Sequence, residues 1–242
     1  MRGQMKPGRD PCSVVLPAAG QGRRFGSGLS KQYRSLDDSA PPVVVQTIRR
    51  LHAHPLVDAI QPVIGADDGN LWDAMDPLFK GLHKLRPPVA GGAERQASVK
   101  NGLEALGLDP RAWVAIHDGV RPILPRQLLD ALFAARSGAD ALIPALPSVD
   151  TLKRVDESGH ITATVDRRPI WRAQTPQIFR YGLILEAHRQ AASQGYQGTD
   201  DAALLEWQGI PVRVVLGDER NIKITRPEDM ALAGLYLKGL DT

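Results

Sequence analysis

Ser13-Val14-Val15-Leu16-Pro17-Ala18-Ala19-Gly20-Gln21-Gly22-Arg23-Arg24-Phe25-Gly26 runs from a short apolar segment straight into a loop of small and cationic residues. Residues 13–16 read as a buried strand, and runs of the same character recur at 59–65, 113–117, 140–145 and 212–216. Between them lie amphipathic segments at 44–54, 94–106, 126–136, 181–193 and 227–237, the last opening on Pro227 with acids behind it. This alternation predicts an α/β fold: a mostly parallel, Rossmann-like twisted sheet with helices on both faces. Ligands of such a sheet bind beyond the carboxyl ends of its strands, and the quoted loop leaves the first of them.

The bulk properties fit one such domain spanning 1–242, because 242 residues bury a large core without disulfide or metal staples. Hydrophobic residues at 43% and charged residues at 24% are ordinary globular usage, which excludes disorder and fibrous classes. The single cysteine, Cys12, excludes an intrachain disulfide and a Cys-rich zinc site. The first residues carry basic side chains but no apolar run of signal-peptide length, and no window approaches a transmembrane helix. A cytoplasmic location without membrane contact is the expectation. The net charge of +3 is scattered among acids rather than gathered in a block, so nucleic acid is not an expected partner and a small anionic substrate is.

One segment departs from the pattern. Residues 151–155 and 160–165 alternate with period two around Asp156-Glu157-Ser158-Gly159, a hairpin turn cluster. They predict a projecting β-arm, with 147–172 as the protruding part. Two polar strands are marginal alone, so the arm is expected to pack on a second subunit.

Small residues at Ala18, Ala19, Gly20 and Gly22 let backbone N–H groups approach a ligand, while Arg23, Arg24 and Lys31 add fixed positive charge, a combination suited to a triphosphate. A dinucleotide fingerprint does not fit, since Gly20, Gly22 and Gly26 are spaced one residue too far, and there is no Walker A box. Gly91-Gly92-Ala93-Glu94-Arg95 with Ser98 opens a helix, offering free N–H groups and a hydroxyl for a base edge. His117-Asp118-Gly119-Val120-Arg121-Pro122 follows a strand, and Asp118 suits a ribose hydroxyl or, through water, Mg²⁺. Structural readings stand beside these: a glycine turn serving only the fold, a solvated basic patch, and an Asp118–Arg121 ion pair. His117, at a strand end, reads as a packed core residue outside the mechanism. No H-E-x-x-H or G-x-S-x-G pattern supports a hydrolase.

These loops, together with Lys31-Gln32-Tyr33, Asp150-Thr151, Asp166-Arg167, Gln174-Thr175-Pro176-Gln177, Thr199-Asp200-Asp201 and Asn221-Ile222-Lys223-Ile224-Thr225-Arg226-Pro227-Glu228-Asp229, occur in an order that resembles the 2-C-methyl-D-erythritol 4-phosphate cytidylyltransferase family from residue 13 to about 237. The resemblance implies transfer of a cytidylyl group from CTP to a polyol phosphate, with Mg²⁺ or another divalent cation, in isoprenoid precursor synthesis. By position it implies Arg24, Lys31 and Lys223 around the triphosphate, and Ala18, Ala19, Gly20, Gly22, Gly91, Gly92, Ser98, Asp118, Gly119 and Arg121 around CTP. It also implies Thr175 and Thr199 on the acceptor side, and a homodimer whose arm brings Thr151 and Arg167 to the neighbour's pocket. Gly119-Val120 stands where the family usually has two alanines, Ala93 where many relatives have Asp, and the loop before Lys31 is longer. A downstream cyclase, fused in some relatives, is not expected, the chain ending just past its last helix. Ribitol 5-phosphate cytidylyltransferases, similar in their CTP motifs, and a non-catalytic nucleotide-binding module are the alternatives.

Overall fold

A computed structural model describes residues 10–20, 28–37 and 39–240. In chain order its strands are β1 (Cys12–Pro17), β2 (Val57–Ile64), β3 (Val89–Ala90), β4 (Trp113–Ile116), β5 (Ala141–Pro147), β6 (Leu152–Val155), β7 (Ile161–Val165), β8 (Trp171–Ala173), β9 (Gln177–Arg180) and β10 (Arg213–Leu216). The helices are α1 (Val43–Ala53), α2 (Gly69–Asp73), α3 (Asp76–Phe79), α4 (Arg95–Leu106), α5 (Arg126–Ala134), α6 (Tyr181–Gln194), α7 (Ala202–Trp207) and α8 (Pro227–Leu240), and a 3-10 turn spans Lys31–Tyr33.

The main sheet has the order β10-β5-β9-β4-β1-β2-β3, with β8 paired to β5. Strands β1 to β4 pair parallel, as do β5 and β10, so the carboxyl ends of all six lie at one edge. Strand β9 is antiparallel to both β4 and β5 and forms the seam between the two parallel halves. The sheet is mostly parallel, as expected, with the antiparallel β9 at its centre and the antiparallel β8 beside β5. Residues Gln177–Arg180 are only four long and run directly into α6, so no turn signal separates strand from helix in the sequence.

Alternation along β1 divides the core in two. Val14 and Leu16 face one side and pack with α1 and α5, through residues such as Ile48, Leu51, Leu132 and Phe133. Val15 faces the other side and packs with α4, α6 and α7, through Val99, Leu103, Ile184 and Leu205. Gly102 sets the approach of α4: a Cβ there would meet Val15 Cγ1 at 2.5 Å and Val63 Cγ2 at 2.7 Å. A third cluster of Val43, Val120, Ile123, Ile224 and Ala233 fixes the segment before α8 against the loop after β4.

Strands β6 and β7 form their own two-stranded antiparallel sheet, the expected hairpin arm. Its turn is built by Asp156, whose Oδ1 accepts from the Ser158 N–H, the Ser158 hydroxyl and the His160 N–H, with Gly159 at φ +87°. The arm and its base expose Val149, Val155, Ile161, Ile170 and Trp171.

Candidate active site

The parallel pairing of β1 outlasts the strand. Ala18 N–H donates to the Val63 carbonyl, His117 N–H to Val15 and Gly119 N–H to Pro17, so the loops after β1 and β4 leave the sheet side by side. In the order β3-β2-β1-β4, connections depart in opposite directions on either side of β1, and the crevice opens at that switch point. Gly91 N–H donates to the Ile64 carbonyl and draws the loop after β3 alongside. A Cβ on Gly91 would lie 2.6 Å from Ala19 Cβ and 2.8 Å from Ser98 Oγ, so only glycine permits the contact.

These loops bound a cleft of about 740 Å³, lined by Pro17, Ala18, Ala19, Gly20, Lys31, Gln32, Gly92, Ala93, Glu94, Arg95, Ser98, Asp118, Val120, Lys223 and Thr225. Eight of the residues anticipated for the site therefore share one cavity: Ala18, Ala19, Gly20, Lys31, Gly92, Ser98, Asp118 and Lys223. Gly91, Gly119, Arg121 and Thr175 lie outside that lining, with Arg121 and Thr175 buried. Thr199 is exposed at the turn before α7, and Thr151 and Arg167 are exposed at the arm. Gly22 and Arg24 lie outside the described residues.

Two lysines from distant segments converge on this cleft. Lys31 donates from Nζ to the Ile224 carbonyl at 2.8 Å, across 193 residues of sequence. The 3-10 turn that carries it is held by Gln32, whose Nε2 donates to the Ala18 carbonyl at 2.8 Å and the Gly20 carbonyl at 3.1 Å. Lys223 extends its Nζ to 3.0 Å from Asp118 Oδ2. Its segment is anchored by the Ile224 N–H, which donates to the Val120 carbonyl, and by Asp229, whose Oδ2 accepts from the Thr225 N–H, the Thr225 hydroxyl and the Arg226 N–H.

Asp118 is the electrostatic centre. Its Oδ1 lies 3.2 Å from Arg95 Nη2, and its Oδ2 also lies 3.5 Å from Arg121 Nε. Burial pushes this carboxyl up, but Arg95, Lys223 and Arg121 outweigh it and hold Asp118 far below the usual carboxylate range. The Asp118–Arg121 ion pair foreseen from sequence thus exists, as part of a larger cluster facing the cleft. Arg121 is further fixed by donating from Nη1 to the Asn221 carbonyl at 2.7 Å.

Behind Asp118, a chain of hydrogen bonds defines one tautomer. His117 Nε2 is 3.2 Å from the Arg121 carbonyl, which only accepts, so Nε2 carries the proton. Nδ1 then accepts from the Thr175 hydroxyl at 3.0 Å, and Thr175 Oγ1 accepts from the Asp118 N–H at 3.1 Å. Burial pushes His117 down to about 4, and the ring stays neutral. Thr175, anticipated on the acceptor side, spends its hydroxyl on this bridge. Ser98 is similarly engaged: its Oγ accepts from the Gly92 N–H at 3.1 Å and lies 3.1 Å from the Glu94 carbonyl.

Gln32, Arg95 and Thr225 were not anticipated at the site, although each stands within a stretch quoted above. What was missing was their geometry: Arg95 meets Asp118 and Asp201 from other loops, Gln32 reaches back to Ala18 and Gly20, and Thr225 is fixed by Asp229. Among the described residues no group of three or more His, Cys, Asp or Glu is placed to hold a metal, and no helix is long and apolar enough to cross a membrane.

An open α/β sheet with cationic loops at its switch point is a nucleotide-binding arrangement, and comparison with known proteins narrows it. The chain matches the family model IspD, 2-C-methyl-D-erythritol 4-phosphate cytidylyltransferase, over residues 12–239. It is 46% identical over 226 residues to the 2-C-methyl-D-erythritol 4-phosphate cytidylyltransferase of Syntrophotalea carbinolica, covering 93% of this chain and 95% of that protein. Identity to the protein of the same name from Geobacter metallireducens is 45% over 227 residues, 93% of this chain and 97% of the relative. Among solved structures, 4-diphosphocytidyl-2C-methyl-D-erythritol synthase from Anaerococcus prevotii superposes with a TM-score of 0.80 at 29% identity, covering 96% of this chain and 98% of the other. The chain belongs to the IspD family of 2-C-methyl-D-erythritol 4-phosphate cytidylyltransferases.

Proposed function

We propose that the family's reaction, transfer of a cytidylyl group from CTP to 2-C-methyl-D-erythritol 4-phosphate with release of pyrophosphate, is carried out in this cleft with Lys31 and Lys223 as its catalytic cations. The observation that carries the reading is their convergence: Lys31 Nζ is bonded to Ile224, the neighbour of Lys223, and both side chains line one cavity. The triphosphate lies toward Lys31 and Lys223. The nucleoside lies toward Ala18, Ala19, Gly20, Gly92, Ser98, Asp118 and Val120.

An acceptor phosphate oxygen attacks the α-phosphorus of CTP in line, one P–O bond forming as the bond to the β-phosphate bridge breaks. A phosphate monoester, with its second pKa near ~6, is already mostly a dianion at neutral pH, so no protein base is needed. That agrees with His117, next to Asp118 in sequence, being neutral, buried and bonded at both ring nitrogens. Lys31 and Lys223 offset charge on the five-coordinate α-phosphate. The rest of the catalysis is positioning.

A divalent cation fits one way. Asp118 is a cleft carboxylate 3.0 Å from Lys223, and Mg²⁺ commonly keeps several waters while taking one or two carboxylates plus substrate phosphates. Asp118 would hold such an ion, through water, and the ion would offset phosphate charge. The acceptor side comprises Thr151 and Arg167 from the arm of a second subunit, together with Thr199, while Thr175 supports it from behind through its bridge between Asp118 and His117. Exposed Val155, Ile161, Ile170 and Trp171 favour burial of the 147–172 arm in a homodimer. A cytoplasmic setting agrees with Cys12 being unpaired and buried.

A head-to-head assay of pyrophosphate release from CTP tests the acceptor. Release is expected to require an acceptor and to be faster with methylerythritol phosphate. Faster release with ribitol 5-phosphate would reassign the acceptor, and acceptor-independent release would reject transfer altogether.

A further inference from the structure

Thr199-Asp200-Asp201 belongs to the family's ordered motifs, yet neither carboxylate lines the cleft. Asp200 serves the fold locally: Oδ2 accepts from Gln177 Nε2 at 2.7 Å and Oδ1 from the Ala203 N–H at 3.0 Å. Asp201 is different. It is 1% exposed, its Oδ1 lies 3.2 Å from His188 Nε2, and its Oδ2 lies 2.8 Å from Arg95 Nη2. His188 is itself 1% exposed. Arg95, the first residue of α4, turns the same guanidinium onto Asp118, with Nε donating to Oδ1 at 3.2 Å. A continuous chain, His188–Asp201–Arg95–Asp118–Lys223, therefore runs from the buried face of α6 to the cleft.

We infer that Arg95 and Asp201 are positioning residues that hold Asp118 by one oxygen, so that its other oxygen orients Lys223 without neutralising it. The inference rests on the proposed role of Lys223. Asp118 divides one negative charge among three cations, with Arg95 on Oδ1 and Lys223 and Arg121 on Oδ2. Released from Arg95, the carboxylate is free to turn both oxygens toward Lys223 and Arg121, and the ammonium then competes less well for phosphate. A guanidinium holds two carboxylates at fixed directions from separate nitrogens of one planar fork, whereas an ammonium offers one rotatable nitrogen and fixes neither direction. Asp201 is the second carboxylate that fixes the plane of that bridge, and His188 fixes Asp201.

Steady-state kinetics of Arg95→Gln, Arg95→Lys, Asp201→Asn and the double variant Arg95→Gln/Asp201→Asn test this, with thermal unfolding as a fold control. Each single variant is expected to lower kcat by about 10- to 100-fold, as misplacement does, while KM for CTP changes by less than about threefold. The double variant should be no slower than Arg95→Gln, because Asp201 acts only through Arg95. Losses that multiply, or a folded Asp201→Asn protein with wild-type kcat, would overturn the inference. Should Asp201→Asn fail to fold, the Arg95 pair decides: equal losses in Lys and Gln support the bridge, and near-normal turnover in Arg95→Lys rejects it. A Lys223→Ala protein that stays active would instead remove the site reading itself.

Discussion

Lys223 Nζ and Asp118 Oδ2 are 3.0 Å apart, and the carboxylate that holds the lysine is also the ion-pair partner of Arg95 and Arg121. Substrate phosphate must therefore compete for an ammonium already placed, rather than recruit a mobile one. Asp118→Asn keeps the shape but leaves buried Arg121 without its carboxylate, an exchange that costs on the order of 3 kcal/mol. We expect a lowered melting temperature and a fall in kcat/KM for CTP of about 10²-fold. Unchanged values of both would show that the cluster is incidental.

Thr175 joins the backbone of Asp118 to His117, so its hydroxyl matters more than its volume. Thr175→Val leaves a buried donor and a buried acceptor without partners and is expected to cost about 1–3 kcal/mol. Thr175→Ser should stay close to wild type. Equal stability of the Ser and Val variants by denaturant unfolding would contradict the bridge.

His117 gives a signed pH dependence. In the unfolded chain it takes up a proton as pH falls through 6.5, whereas burial holds it neutral in the fold down to about 4. The folded pKa of a base is lowered, so its contribution is complete above 6.5 and is lost as pH falls from there toward 4. Stability should decline by up to about 1.4 kcal/mol per pH unit from this group alone. His52 and His54 are also shifted down by burial and add slope of the same sign. The measurement is thus the difference between wild type and His117→Asn, which should have the shallower slope. Parallel slopes would show that His117 titrates normally.

Legibility of the fold followed the length of its elements. Strands β1, β2, β4, β5 and β10 and five helices were readable within a few residues, because each has an apolar pattern of its own. Strand β9 was not: Gln177-Ile178-Phe179-Arg180 is too short for a period, and its place between β4 and β5 is a tertiary fact. At the cleft, the shared position of Gly20, Gly92, Lys31 and Lys223 was legible because their loops follow strands. The roles of Gln32, Arg95 and Thr175 were not, since each depends on a partner remote in sequence.

The exposed arm yields a test of shared pockets. Lys31→Ala and Arg167→Ala proteins, each inactive alone, should regain activity when subunits are exchanged, because in the proposed homodimer one pocket of each mixed pair then holds both wild-type side chains. Random reassortment predicts about a quarter of wild-type activity. Failure to recover any activity after verified exchange would place Arg167 in the pocket of its own chain.

The central claim is that Lys31 and Lys223 together stabilise the transferring phosphoryl group. Its most direct measurement is the rate of pyrophosphate release from saturating CTP and methylerythritol phosphate by Lys31→Ala and Lys223→Ala, each checked for an unchanged melting temperature. Each loss should be about 10²–10³-fold in kcat. Near-normal turnover in both folded variants would contradict the account.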